Sequence, residues 1–192
     1  MTNTSATGGY LTPTNIALDD SALDDFIHDV LAGITGISNE LVKPGFQIDA
    51  PPRPSININW CGFSILNRRT ENMPWFTQGD ESGVLSTNEL FDVQASFYGP
   101  NCRGFASTLR DGLQIAQNLE QIRIAGMAVT GSGDVLYSPE LVNDKWFERA
   151  DITINFNRNL SRSYDILSLR GVEGTFNFDG VATEDFTVGD TL

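Results

Sequence analysis

Histidine is almost absent: His28 is the single copy in 192 residues. Cysteine occurs twice, as Cys61 and Cys102, with no CxxC pair. That leaves too few ligands for a zinc site. A Ser-His-Asp or Cys-His arrangement would have to run through His28 alone. Acidic doublets at Asp19/Asp20 and Asp24/Asp25 could attract calcium but lack EF-hand spacing. GxSxG, HExxH and the phosphate-loop pattern are missing. No apolar run approaches the roughly 18 residues of a membrane span. Residues 1–15 are rich in Thr, Ser, Gly and Asn, without the basic start and apolar stretch of a signal peptide, so a protein that is not secreted is expected. In that setting both thiols are expected to be small apolar fillers and not a disulfide. No catalytic residue, cofactor or metal is assigned, and the chain is not expected to be an enzyme.

Basic residues are also few, 12 against 25 acids, for a net charge of −13. This disfavours duplex binding through a broad basic face, because such affinity comes from neutralising phosphates. The charge is uneven. Residues 1–50 carry seven acids and one base (−6), residues 51–170 carry 13 acids and 11 bases (−2), and residues 171–192 carry five acids and no base (−5). The acidic ends read either as solvated surface or as charge that repels a polyanion. Of the bases, ten are Arg and two, Lys43 and Lys145, are Lys. Arg is favoured where a planar fork makes fixed contacts with carboxylates, as across a subunit interface. Arg149, Arg158, Arg162 and Arg170 gather near the last clear strand.

What is present is globular: 40% hydrophobic and 10% aromatic residues, at a length suited to one domain. The patterning predicts an arm at 1–17, one domain at 18–178 and an acidic tail at 179–192. Leu23, Phe26, Ile27, Val30, Leu31 and Ile34 form one apolar stripe at helical period. Asp20 or Ser21 is its candidate cap, and Gly33 and Gly36 are its candidate stops. His28 lies off the stripe. A Pro-rich connector spans Lys43 to Pro54. Ile56, Ile58 and Trp60 then alternate with polar residues as in a half-buried strand, and Gly62 reads as a bulge that swaps faces. Asn67 to Asn88 reads as a long polar loop carrying Trp75 and Phe76, which either fold back or dock on a partner. A strand at Glu89–Tyr98 faces Phe91, Val93, Ala95 and Phe97 one way. A second helix is expected to end near Leu119, followed by a short strand at Ile122–Thr130 and a return at Val135–Tyr137. Pro139 to Asn143 reads as loop, and a strand follows at Trp146–Phe156.

This order predicts an α+β fold, a mainly antiparallel or mixed sheet with two helices on one face and a long hairpin loop. The other sheet face, with Asn57, Asn59, Asp92, Gln94, Arg149, Asp151 and Thr153, would be wet or covered by a neighbouring subunit.

Two blocks carry a family resemblance: Phe91-Asp-Val-Gln-Ala-Ser-Phe-Tyr-Gly99 followed by Phe105…Leu109-Arg-Asp-Gly-Leu113, and Leu141-Val-Asn-Asp-Lys-Trp146-Phe-Glu-Arg149-Ala-Asp-Ile-Thr-Ile154. Over roughly 20–160 the chain resembles the tail terminator, or neck and tail-completion, proteins of long-tailed bacteriophages. The resemblance implies a virion structural protein without enzymatic activity. It implies a ring, usually hexameric, that caps the tail tube, ends tail growth and joins the head. The implied partners are further copies of the chain, the tail tube protein, a head-completion or connector protein, and a sheath protein if the tail is contractile. DNA would pass through the lumen without specific binding. The implied location is the virion tail or neck, with assembly in the host cytoplasm. Trp75, Phe76, Arg149 and Arg158 are the candidate interface residues. A second reading is another head-to-tail connector or adaptor ring, and a third is an enzyme of unrecognised class.

Overall fold

The computed structural model describes residues 3, 6–15, 21–47, 51–70, 73–167, 171–178 and 182–189. In chain order the elements are α1 (Ser21–Thr35), a 3₁₀ turn (Asn39–Leu41), β1 (Val42–Pro44), β2 (Trp60–Thr70), β3 (Trp75–Gln78), β4 (Gly83–Tyr98), α2 (Cys102–Gly112) and α3 (Ala116–Ile124). These are followed by β5 (Met127–Ser132), β6 (Leu136–Tyr137), β7 (Glu140–Val142), β8 (Lys145–Phe147), β9 (Arg149–Tyr164), β10 (Gly171–Phe178) and β11 (Ala182–Gly189). The fold is α+β, with a mixed sheet and three helices among the described residues.

The chain divides into two compact units. The larger is Ala17–Pro74 with Ser86–Leu160. Its strands run in the order β1-β2-β4-β9-β5, with β6 also on β9. β1 is parallel to β2, β2 antiparallel to β4, and β5 antiparallel to β9. Side chains bridge β4 to β9 at Glu89–Arg158, Asp92–Asn155 and Ser96–Arg149. Numbers that rise on one strand fall on the other, so this pair is antiparallel as well.

Strand parity sorts the larger unit into two faces. Cys61 and Phe63 on β2, Phe91, Val93, Ala95 and Phe97 on β4, and Ala150, Ile152, Ile154 and Phe156 on β9 are all buried. They form one core with Leu23, Ile27 and Leu31 of α1, Cys102, Ala106 and Leu109 of α2, and Ile122 of α3. The helices therefore cover this face of the sheet. Phe91 and Phe156 stack at 5.3 Å between centroids. Each large apolar side chain buried here contributes about 1.5–3 kcal/mol, and an aromatic pair about 1 kcal/mol more. Both cysteines are free and buried, and burial pushes the Cys61 thiol well up.

The structure corrects several sequence expectations. Among the described residues there are three helices, not two: the expected second helix breaks at Gly112, and residues 116–124 are helical where a strand was expected from Ile122. A Cβ at Gly112 would overlap Ile34 of α1, and Asn118 Nδ2 donates to the Gly112 carbonyl at 2.9 Å. The first helix runs through Gly33 and stops at Gly36, whose φ of 71° suits only glycine comfortably. α1 begins at Ser21, while Asp20 lies outside the described residues.

The strand at Ile56 begins only at Trp60. Residues 56–58 form a turn, closed by Ile58 N–H on the Ser55 carbonyl at 3.0 Å. No bulge occurs at Gly62, since the β2–β4 register is unbroken from Trp60 to Leu66. The irregularity falls between Leu66 and Arg69, where Asn67 has φ 51°. Most of the expected polar loop is strand, with β2 reaching Thr70 and β4 starting at Gly83. The expected loop at Pro139 is the hairpin β7–β8, turned at Asn143-Asp144 with both φ values positive, the type I′ geometry that tight hairpins favour.

His28 Nε2 lies 3.0 Å from the Asn39 carbonyl and Nδ1 lies 3.1 Å from Asp29. The bond to the Asn39 carbonyl, helped by Asp29, raises its pKa above the ordinary 6.5. A raised folded value means the contribution to stability is complete below pH 6.5 and is lost as pH climbs through the folded pKa. Melting curves across that window should show a drop in wild type that His28→Gln flattens.

The smaller unit is Met1–Ile16, Trp75–Leu85 and Ser161–Leu192. β3 pairs with β4, and β10 pairs with β11 in a separate two-stranded sheet. Thr14 N–H donates to the Ser163 carbonyl at 2.8 Å, and Asn15 bonds Ser161 and Ser163, each at 2.7 Å. Within the stretch expected as an acidic tail, Ala182–Gly189 is a strand in register with β10 from Gly171↔Gly189 to Phe178↔Ala182.

Candidate interface surfaces

The sheet face away from the helices carries the even residues of β2 and β4 and the odd residues of β9. Here Trp60 stacks on Tyr98, with centroids 4.1 Å apart and planes within 8°. The register places the two rings directly opposite each other on β2 and β4. Arg53, from the Pro-rich connector, lies 4.7 Å from the Tyr98 ring centre, 4.7 Å from Phe147 and 5.7 Å from Trp60. Its Nη2 meets Glu140 at 2.8 Å, a bond that, despite burial, holds the Glu140 carboxyl below the usual range. The prolines at 51, 52 and 54 restrict the chain around this arginine.

Arg149 opens β9 beside this group. Its Nε donates to Asp151 at 2.8 Å and its Nη2 to Ser96 at 3.3 Å, and Nη1 lies 3.8 Å from Glu140. Further along, Asn67 and Asn155 donate to Asp92 at 3.0 and 2.6 Å and hold its carboxyl below the usual range. Asn57 and Asn59, expected on this face, stand before β2. Asn59 Oδ1 instead accepts the Asn101 N–H at 2.9 Å. Between the Pro-rich connector and the sheet is a pocket of about 350 Å³, lined in part by Lys43, Arg53, Trp60, Gln94, Tyr98 and Arg149. The Trp60 indole Nε1 is buried with no hydrogen-bond partner among the described residues.

Arg149 and Arg158 stand on opposite faces of β9. Arg149 sits on the face away from the helices, as just described. Arg158 is on the core side and 3% exposed. Its Nη2 lies 2.6 Å from Glu89, which also receives Arg68 Nε at 3.1 Å. The guanidinium lies over the Phe91 ring at 5.5 Å. Trp75 and Phe76 stand on β3 in the smaller unit, each 46% exposed. The β3–β4 turn closes with Gly79 N–H on the Ser82 carbonyl at 2.8 Å, and a Cβ at Gly83 would overlap the Phe76 ring. Arg53, Lys43 and Trp60 were not among the candidate interface residues. The connector and the turn around them broke the periodicity that flags a face, although Arg flanked by three prolines was visible.

Among the described residues no group of three or more His, Cys, Asp or Glu is placed to hold a metal ion. No helix among them is long and apolar enough to cross a membrane. The features on this face are arginines paired with carboxylates and a stacked Trp60–Tyr98 pair. No curated protein matches the chain. Residues 21–180 match the family model described as phage neck terminator protein, from the first residue of α1 to just beyond β10. With that match spanning both resemblance blocks and all of the larger unit's elements, the chain belongs to the phage neck terminator family.

Proposed function

We propose that copies of this chain close into a ring, expected to be hexameric, that caps the finished tail tube, stops its growth and offers the head its joining surface. A neck terminator works in association with other phage tail and head proteins. The observation that carries the finer reading is the one-sidedness of the larger unit. One sheet face is sealed by three helices, while the other keeps a pocket and a polar ladder. A side so equipped is suited to a neighbouring copy.

Ring closure presents several equivalent sites to the last tube ring at once. Binding is then multivalent and slow to reverse, which is what stopping growth requires. The β3–β4 hairpin offers Trp75 and Phe76 to the tube or the head protein, and Arg149 serves the contact between copies. Arg158 supports that contact from inside the fold. A net charge of −13 per copy gives the assembled lumen a field that keeps passing DNA from adhering. The partners are those a ring at this position would touch: tube protein below, head-completion protein above, and sheath protein on a contractile tail.

Infection by phage lacking this chain tests the reading. The expected result is overlong tails without heads, restored to normal length when the wild-type chain is supplied. Tails of normal length that fail to join heads would instead assign the chain to an adaptor ring on the head side.

A further inference from the structure

Among the described residues, three cations line the pocket on the sheet face away from the helices, Lys43, Arg53 and Arg149, and no carboxylate does. This occurs in a chain of charge −13. Arg53 and Arg149 already have carboxylates in Glu140 and Asp151. Lys43 has no ion-pair partner among the described residues. β1 pairs in parallel with β2 and sets Val42 beside Cys61 and Lys43 beside Gly62. Val42 is buried in the core, so alternation carries the Lys43 side chain to the opposite, pocket-lining face, next to a residue with no side chain of its own. The buried Trp60 N–H is a second donor without an acceptor among the described residues. A ligand that fits brings negative charge and acceptor oxygens, and about 350 Å³ holds one or two acidic side chains with part of their backbone.

We propose that the acidic hairpin β10–β11 of a second copy seats a carboxylate in this pocket, an inference that rests on the ring reading above. Residues 171–192 carry five acids and no base. Among the described residues β10 and β11 pair only with each other, and a two-stranded ribbon in water is marginal without a surface to lie on. Their register sets Glu173 opposite Thr187 and Thr175 opposite Asp185. A hairpin in one copy meeting a pocket in the next is a head-to-tail contact. Such a contact repeats around an axis and closes a ring when the rotation allows.

The test uses full-length chains and reads self-association by light scattering, alone and with purified tail tubes. Lys43→Glu should weaken association about tenfold, and Glu173→Lys with Asp185→Lys should do the same. Mixing the two variants should restore it. In the mixture each intact pocket meets an intact hairpin, and each reversed pocket meets a reversed hairpin. Melting temperatures report whether either variant loses its fold. Lys43→Gln, which removes a charge and adds none, should show a smaller loss in the same direction and keeps the test open if reversal disturbs folding. Association unchanged in either reversed variant overturns the pocket assignment while leaving the ring intact. Restoration only when all three substitutions share one chain, and not on mixing, places the hairpin in its own chain's pocket and also overturns it. Wild-type chains that stay monomeric even with tail tubes present overturn the ring reading, and this inference with it.

Discussion

Arg158→Ala should lower the free energy of unfolding by about 2–3 kcal/mol, because it removes the inner of the two guanidinium groups bonded to Glu89, in a place that water barely reaches. The Arg158 side chain is 2% exposed and the Glu89 side chain 12%. The pair is bonded through both Nε, at 2.7 Å, and Nη2, at 2.6 Å. Arg68, 35% exposed, is the outer member and keeps its longer bonds to the two Glu89 oxygens, at 3.1 and 3.4 Å. The guanidinium also covers the Phe91 ring, so truncation removes packing as well as charge. The paired replacement Arg158→Met with Glu89→Leu should recover most of the loss, since apolar residues of similar volume often replace a buried ion pair without cost. Urea unfolding measures both variants. A loss under about 1 kcal/mol for Arg158→Ala, the range of exposed pairs, would show that water reaches this pair freely.

Trp75→Ser with Phe76→Ser should leave the larger unit's stability near wild type and remove particle assembly. Both rings are nearly half exposed, and no residue of β3 is buried. The core is built from other strands. Aromatic anchors at an interface are worth about 2 kcal/mol or more each, or roughly 30-fold in affinity, and a ring multiplies the deficit over its copies. Electron microscopy of infected cells lacking the wild-type chain should show tails of irregular length and unattached heads. Thr77→Ser on the same strand is the matched control and should assemble normally. Normal tails with joined heads in the double variant would remove the hairpin from the docking role.

The core of the larger unit was legible because its strands alternate cleanly. Phe91 to Phe97 and Ala150 to Phe156 announce both the strands and the face they bury, and the stripe from Leu23 to Ile34 announces α1. What misled were places where a tertiary contact overrides local pattern. Ile56 and Ile58 continue the alternation of Trp60, yet both are about 40% exposed in a turn. That turn is pinned by Asn59 to Asn101 and by Gly99, whose φ is 99° and whose missing Cβ would meet the Ile58 carbonyl at 2.5 Å. The break at Gly112 depends on α1 lying against it, which no window of sequence around residue 112 reveals. Arg158 continues the buried parity of β9 and sits opposite Glu89, a pairing 69 residues apart that only the strand order discloses. The pocket is hidden for the same reason, as it joins Lys43 and Arg53 to residues of β4 and β9 far along the chain.

The most direct measurement of the whole account is to image purified tail tubes mixed with this protein by negative stain. The account predicts one ring of density at a single end of each tube, and no further lengthening when free tube subunits are added. Density scattered along the tube wall, or tubes that keep growing with the protein bound, would contradict it.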